Sequence, residues 1–393
     1  MSTRPPRRRG FFRRPVCAPR CRLALAPVLA LVLVAGCGAP RPTPSPPVFY
    51  PPPPETPRIQ FLCSLKSSAD VTPPPSPFAR FLLGDDRLRS ATQLVRPYGL
   101  AYSEQRLYVC DSGSRQGVVF DFALRECRTF GREGLFRFGQ PINISVGPDG
   151  EKYVTDTARG QVVVFDRDDR PLRALGRPGE FKPCDAVWHE GELYVADLKS
   201  NAIQVLDPQS GRVRRQIGRA GSGPGQFAQP TNLAFGPDGR LYVSDTLNAR
   251  VQVLEPSGQM LRAVGTRGRG LGQMVRPKGI TVDRQSRLYV CDAAAEVVQV
   301  FDAEGRLLMF LGGPGPGRGT LALPAKVAIG YTGIEPFAGY AAPGFQIEYL
   351  LFVGNQLGPD KINVYAFGAN TGGAPAGPGT AEPAAPPPAQ VLR

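Results

Sequence analysis

The fold is decided by residues 230–265, whose sequence is PTNLAFGPDGRLYVSDTLNARVQVLEPSGQMLRAVG. Apolar runs alternate with turns here, and the runs fall at residues 233–235, 241–243, 251–254 and 260–264. The turns at 236–239 and 256–258 consist of Gly, Pro, Asp and Ser, which favour tight reversals. The pattern predicts four short antiparallel strands. A meander of this size cannot bury both of its faces alone, so copies of it must stack.

The stretch recurs along the chain with fixed landmarks. A proline opens each first strand, at Pro97, Pro141, Pro183, Pro230, Pro277 and Pro324. An aspartate closes the second strand in five copies, at Asp111, Asp156, Asp197, Asp245 and Asp292. A second acid follows ten residues after each aspartate, at Asp121, Asp166, Asp207, Glu255 and Asp302. The constant hairpin and the variable connections indicate one unit repeated six times.

The two ends of the repeat array are complementary. Residues 58–62 form a strand-like run before the first full copy, whereas the sixth copy ends near residue 367 without a fourth strand. If the N-terminal strand completes the last unit, the ring closes and no sheet edge is left exposed there. The sequence therefore predicts an all-β fold over residues 58–367, a six-bladed β-propeller with four-stranded antiparallel blades.

The repeat resembles the NHL repeat family. The resemblance rests on the segments PTNLAF (230–235), GPDGRLYVSD (236–245) and NARVQV (248–253), and on the interblade loop GSGPGQF (221–227). Two features depart from the family pattern. The pair Asn248 and Arg250 occurs in the fourth copy alone, and Asn355 replaces the aspartate in the sixth. Most NHL-like propellers are interaction platforms, so the resemblance implies binding rather than catalysis.

The five landmark aspartates are predicted to be structural. An aspartate that closes a strand is placed to accept hydrogen bonds from the amides of the following turn. One such residue per blade would also lie too far from the next to share a metal ion. The Gly-rich segments 221–225 and 312–319 are interpreted as connections, because they lack the Gly-Lys-Ser/Thr ending and the helix of a phosphate-binding loop.

The net charge of +14 comes largely from the N-terminus. Residues 1–36 contain eight arginines and no acid, so 39 of the 47 basic residues remain against 33 acidic ones. An excess of six on the rest of the chain is ordinary, and nucleic acid is not predicted as a partner.

The N-terminal segment is predicted to be a lipoprotein signal peptide over residues 1–36. A basic region precedes the apolar run LALAPVLALVLV (23–34), which is too short to span a membrane. The following Val-Ala-Gly-Cys resembles a bacterial lipobox, so Cys37 is the predicted lipidated residue. Residues 7–13 (RRRGFFR) also resemble a twin-arginine export signal, and the choice between the general and twin-arginine routes stays open.

The predicted location is the bacterial cell envelope, with membrane attachment through the lipid alone. Gly38 after the lipidated cysteine favours the outer membrane, on its periplasmic or outer face. Residues 37–57 are Pro-rich and predict an extended stalk. Residues 368–393 are rich in Gly, Ala and Pro and predict a disordered tail.

No catalytic residue, metal site or cofactor is predicted. His189 is the single histidine, so sites built on several histidines cannot form. Five cysteines remain in the processed chain besides Cys37, with no paired spacing, and they are interpreted as small buried side chains: Cys63, Cys110, Cys127, Cys184 and Cys291.

Two regions are candidate sites. The sixth copy has about 16 extra residues between its first two strands, containing Tyr331, Phe337, Tyr340 and Phe345. These aromatics either form a partner surface or cover the end of the ring. The second candidate is the channel mouth, at the start of the innermost strands, where an anion could bind or the polar groups are merely solvated: Asn143, Asp185, Asn232, Lys278 and Lys326, with Lys182 and Arg276 close by.

The predicted function is a lipid-anchored envelope propeller that binds a protein or a surface polymer. Similar lipoproteins occur with secreted multihaem cytochromes, which implies an accessory role in an extracellular electron-transfer or envelope complex. The alternative is a propeller lactonase or lyase with a divalent ion in the channel, for which Asp185, Asn143 and Asn232 are the best ligands. The sequence does not predict the oligomeric state.

Overall fold

The computed structural model describes residues 45–73 and 91–370. The predicted signal peptide, Cys37 and most of the C-terminal tail lie outside these residues. From Pro46 on, the described residues belong to one compact unit. None of its helices has the length and apolar character needed to cross a membrane.

The chain enters the propeller through two strands and a short turn. They are β1 (Val48–Tyr50), β2 (Ile59–Leu65) and a 3-10 turn at Ser68–Asp70. Blade 1 consists of β3 (Pro97–Ser103), β4 (Arg106–Asp111), β5 (Gln116–Asp121) and β6 (Glu126–Phe130). Blade 2 consists of β7 (Pro141–Val146), β8 (Lys152–Asp156), β9 (Gln161–Phe165) and β10 (Pro171–Leu175).

Blades 3 and 4 are separated by a loop that contains a small parallel pair of strands. Blade 3 consists of β11 (Pro183–His189), β12 (Glu192–Asp197), β13 (Ala202–Leu206) and β14 (Val213–Ile217). The loop contains β15 (Arg219–Ala220) and β16 (Gln226–Phe227). Blade 4 consists of β17 (Pro230–Phe235), β18 (Leu241–Asp245), a 3-10 turn (Thr246–Asn248), β19 (Arg250–Leu254) and β20 (Met260–Val264).

A second parallel pair precedes blade 5, and blade 6 ends the described chain. The pair is β21 (Thr266–Arg267) and β22 (Gln273–Met274). Blade 5 consists of β23 (Pro277–Val282), β24 (Leu288–Asp292), β25 (Val297–Phe301) and β26 (Leu307–Gly312). Blade 6 contains β27 (Pro324–Gly330), helix α1 (Glu335–Ala338), β28 (Phe345–Asn355) and β29 (Ile362–Asn370).

The predicted fold class and ring closure are confirmed. The sheet of blade 6 has the order β1-β2-β29-β28-β27, so β2 is its fourth strand and pairs with β29. Six buried apolar clusters fill the spaces between neighbouring blades, as stacked meanders require. The tyrosine that occupies the same place in five second strands is buried in each of them: Tyr108, Tyr153, Tyr194, Tyr242 and Tyr289.

The predicted stalk boundary at residue 57 is wrong. β1 adds a fifth strand to blade 6, where Phe49 packs against Phe345 and Tyr50 against Tyr365. The hydroxyl of Tyr50 also donates to the carbonyl of Gly319 at 3.0 Å. A Pro-rich segment favours extended backbone, which suits a sheet edge as well as a free stalk. The propeller also continues beyond residue 367, because β29 ends at Asn370.

The propeller has two distinct faces. We call the loop face the one that carries the interblade connections and the bends between second and third strands. We call the hairpin face the opposite one, which carries the turns between first and second strands and between third and fourth strands. Each innermost strand begins with its proline at the loop face, and in every blade the pairing with the second strand shifts register directly after that proline.

Candidate functional site

The landmark aspartates join the interblade connection to the bend of their own blade. The Asp111 carboxylate accepts hydrogen bonds from the amides of Val95, Arg96 and Gly113 at 2.7, 2.8 and 3.0 Å. Asp156 and Asp292 make the same set of bonds to their own blades. A carboxylate occupied by three amides is a structural cap, and no group of three or more His, Cys, Asp or Glu in the described residues is arranged to hold a metal ion.

Blade 4 shows why Asn248 and Arg250 accompany its aspartate. The Asp245 carboxylate accepts from the side chains of Asn248, Arg250 and Gln252 at 2.8, 2.9 and 3.0 Å. Arg250 and Gln252 extend these bonds to the carbonyl of Gln226. In blade 6, Asn355 keeps part of this role, since it accepts from the amide of Ala322 and donates to the carbonyl of Asp360.

The channel is crossed by an ion pair between opposite blades. Lys326 of blade 6 lies 3.2 Å from the Asp185 carboxylate of blade 3. The Asn232 side chain and the amides of Leu233 and Ala186 also donate to this carboxylate, at 2.9–3.1 Å. Asp185 is 1% exposed and Lys326 8%. This layer therefore closes the channel and neutralises its one buried carboxylate.

Asn143 and Asn232 complete the same layer, and each has an unpaired buried atom. The Asn143 amide nitrogen and the Asn232 amide oxygen have no hydrogen-bond partner among the described residues. Gly99 occupies the equivalent place in blade 1, where a Cβ would lie 2.4 Å from the Asn143 Cα, and Gly279 meets Lys326 in the same way. These glycines permit neighbouring innermost strands to approach each other closely.

The channel residues do not fit a divalent cation. Calcium and magnesium require several free oxygen ligands, usually including carboxylates. Here the one carboxylate, Asp185, already accepts from four donors, and one of them is the ammonium of Lys326. The carboxylate of the ligand set predicted for a channel lactonase or lyase is therefore paired with an internal cation.

A second layer lies nearer the loop face, one residue after each proline. It consists of Tyr98, Ile142, Cys184, Thr231, Lys278 and Ala325. The Lys278 ammonium lies 4.9 Å from the ring centre of Tyr98, although blade 6 separates their blades. The small side chain of Ala325 in blade 6 leaves room for this contact. Burial and the neighbouring Arg276 and Arg96 lower the pKa of Lys278 to about 8.

Three exposed cations surround this layer at the loop face. The residues that precede the six prolines are Arg96, Gln140, Lys182, Gln229, Arg276 and Leu323. Arg96, Lys182 and Arg276 belong to alternate blades and are exposed. We call these three residues with Lys278 the cationic mouth. On the other side of the ion pair, a cavity of about 300 Å³ is lined by the hairpin-face halves of the innermost strands.

The aromatic insertion covers part of the core rather than forming an exposed aromatic surface. Phe337 and Phe345 are 3% and 6% exposed, and Phe337 packs against Phe122 and Phe352. Tyr331 stacks under the guanidinium of Arg284, and Tyr340 is the exposed member at 55%. The exposed-aromatic interpretation is wrong for the two phenylalanines, because the insertion covers the hairpin-face end of the core between blades 6 and 1.

The cysteines and the histidine form no reactive arrangement among the described residues. The five described cysteines are free thiols, and burial raises the pKa of Cys184 to about 12. A thiol that stays protonated is a poor nucleophile. His189 stacks on Phe235 with ring centres 3.7 Å apart, and its Nε2 lies 4.0 Å from the Glu190 carboxylate.

Sequence reasoning predicted three of the four residues of the cationic mouth and missed Arg96, and it also missed Tyr98, whose ring Lys278 contacts. Arg96 and Tyr98 were not singled out, although they precede and follow Pro97 directly, as Arg276 and Lys278 flank Pro277. Their positions directly before and after a landmark proline were the sequence signal that would have identified Arg96 and Tyr98. The contact between Lys278 and Tyr98 had no sequence signal, because it joins non-adjacent blades across the axis.

Comparisons with known proteins support the propeller. The NHL repeat model matches residues 227–254, which cover the first three strands of blade 4, so the predicted NHL repeat is confirmed in that blade. A structural genomics protein of unknown function from Bacteroides thetaiotaomicron is similar, with 17% identity and a TM-score of 0.53 over 79% of this chain and 75% of that one.

Two further structures are similar to this chain. An auxiliary nutrient binding protein from Bacteroides thetaiotaomicron has 14% identity and a TM-score of 0.52, over 70% of this chain and 69% of that one. A gluconolactonase from Xanthomonas campestris has 17% identity and a TM-score of 0.49, over 70% of this chain and 87% of that one. No curated protein matches the sequence. At these identities the likeness shows the fold alone.

Proposed function

From a six-bladed propeller that carries an NHL repeat in its fourth blade, we propose a non-catalytic binding platform of the bacterial envelope. In this proposal the lipid on Cys37 anchors the chain, and the loop face binds an anionic protein or surface polymer. The observation that carries the proposal is the difference in charge pairing between the two faces. The accessory role in an electron-transfer complex stays a prediction.

The hairpin face pairs its charges internally. Glu151 binds Arg173 at 2.8 Å, and Glu192 binds Arg215 at 2.6 Å. Other pairs on this face join Asp121 to Arg106, Asp283 to Arg287 and Asp302 to Arg306. Arg125, Arg212 and Arg284 are exposed on this face without an ion pair among the described residues, but most of its cations have carboxylate partners, so it offers less uncompensated charge to a ligand than the loop face does.

The loop face carries many exposed cations without such partners. Among the described residues, none of the following makes an ion pair: Arg96, Arg115, Arg132, Arg137, Arg177, Lys182, Lys199, Arg219, Arg267, Arg269 and Arg276. Two leucines at interblade loop tips, Leu135 and Leu271, are 81% and 80% exposed beside arginines. Unpaired cations steer and retain an anionic partner, and exposed apolar tips add contact area to it.

A charge-reversal experiment tests the proposal. The full chain, purified in neutral detergent, is crosslinked to envelope extract and captured. We expect R132E/R269E on the loop face to reduce partner recovery several-fold, and recovery by the wild type to fall as salt rises. The matched control is R167E/R170E on the hairpin face, which changes the net charge equally. Equal recovery by both variants, or no partner at low salt, would reject the proposal.

A further inference from the structure

We propose that the cationic mouth is an oxyanion site in which Lys278 binds a phosphate group, with Arg96, Lys182 and Arg276 around it. The inference rests on the proposed function, because it names the chemical group of the partner that the centre of the loop face receives. It adds a defined binding centre to what is otherwise a broadly charged surface.

Lys278 is a largely buried lysine whose ammonium has no hydrogen-bond acceptor among the described residues. It is 7% exposed, and among the described residues its ammonium contacts the Tyr98 ring. The other buried lysines differ. Lys152, at 1% exposed, donates to the carbonyls of Asp166 and Arg167 at 2.7 Å and binds Asp169 at 2.8 Å. Lys326 binds Asp185. A buried charge without a partner costs free energy, and an external anion that pairs with Lys278 would offset part of that cost.

The surroundings of Lys278 contain more positive charge and no free carboxylate. Arg276 and Arg96 lie close enough to lower its pKa, and they are exposed to solvent. The thiols of Cys184 and Cys291 are the acidic groups that act in the opposite direction, and burial keeps both protonated by raising their pKa values. Asp185 beneath is neutralised by Lys326. The local balance therefore favours binding of an anion.

The number of cations selects a doubly charged oxyanion. Four basic residues of blades 1, 3 and 5 lie directly beside the prolines that open the innermost strands at the mouth. A phosphate dianion offers several acceptor oxygens to donors that approach from different directions, whereas a carboxylate offers two. The guanidinium groups of Arg96 and Arg276 suit phosphate geometry, and the ammonium of Lys278 contributes a compact charge from below.

Calorimetric titration of the full chain in neutral detergent with inorganic phosphate at pH 7 tests the inference. We expect one saturable site per chain and at least about tenfold weaker binding by K278M, because a charged hydrogen-bond partner is lost. The matched control K199M removes a lysine from the same face outside the mouth and should bind as the wild type does. An acetate arm should bind more weakly than phosphate.

The sources of the phosphate group are separated by two further arms. Polyphosphate presents it on a soluble polymer, and nanodiscs of phosphatidylglycerol present it on a lipid surface. Binding that depends on Lys278 in one arm alone identifies that source. No saturable phosphate site, or equal binding by K278M and the wild type, would overturn the inference. Partner recovery by R132E/R269E is measured independently, so the proposed binding platform can be supported even when the phosphate site is rejected.

Discussion

Two regions of the propeller bury a lysine and treat its charge in opposite ways. At the hairpin face, Lys152 is enclosed by two carbonyls and the Asp169 carboxylate, so its charge is compensated within the fold. At the loop face, Lys278 rests on an aromatic ring among other cations. The comparison shows that the charge of Lys152 is paired within the fold, whereas the charge of Lys278 has no acceptor among the described residues.

The largest expected effect comes from removing the compensated lysine. K152M leaves the buried Asp169 carboxylate with Arg128 alone, and we expect a loss of about 3–5 kcal/mol in the free energy of unfolding. Urea denaturation followed by tryptophan fluorescence measures it. The double variant K152M/D169N should recover part of this loss, because both members of the pair are then neutral. A change below about 1 kcal/mol would show that Lys152 is not held as described.

Removing the uncompensated lysine should act in the opposite direction. The pKa of Lys278 falls from 10.5 to about 8 in the fold, so the charged form is disfavoured by at most about 3 kcal/mol at pH 7. We therefore expect K278M to raise the free energy of unfolding by up to that amount.

The pH dependence gives this prediction its sign. Between pH 8 and 10.5 the unfolded chain binds more protons at residue 278 than the folded one, so wild-type stability gains with rising pH. The advantage of K278M should therefore shrink between pH 7 and pH 10. Destabilisation by K278M at pH 7, with K199M unchanged, would contradict the description of Lys278 as an unpartnered charge.

A smaller effect is expected when one cation of the mouth is removed. Arg276 lowers the pKa of Lys278, so R276Q should raise that pKa by a fraction of a unit. Carbon NMR of the labelled lysine side chain measures the titration directly. The reference is R219Q, which removes an exposed loop-face arginine that does not shift Lys278. An unchanged pKa in R276Q would place Arg276 outside the mouth.

The repeat unit and ring closure were predictable because they depend on local chemistry. Prolines, turn residues and strand-closing aspartates recur at fixed offsets, and each offset corresponds to one hydrogen-bonded register. The same logic failed for β1, because a Pro-rich run favours extended backbone whether or not a sheet edge is beside it. It also failed for Phe337 and Phe345, because burial of a loop depends on what lies beneath it.

For the channel mouth, the sequence predicted which residues lie there but not which of them contact each other. Asn143, Asp185, Asn232, Lys278 and Lys326 follow from their offsets to the prolines. Which of them meet depends on side-chain reach across the axis. Lys326 reaches the opposite blade and neutralises Asp185, whereas Lys278 reaches Tyr98 over Ala325. Sequence spacing carries no information on contacts between blades that are not neighbours.

The strand order of blade 6 has a mechanical consequence. The N-terminal end of the propeller is held first by β1, which pairs with β2 through three residues, and then by β2 itself, which closes the ring. A pull applied at Pro46 and directed across the sheet, away from β2, loads the hydrogen bonds of β1 successively rather than together. β1 is therefore expected to detach from β2 under such tension before β2 detaches and the ring opens.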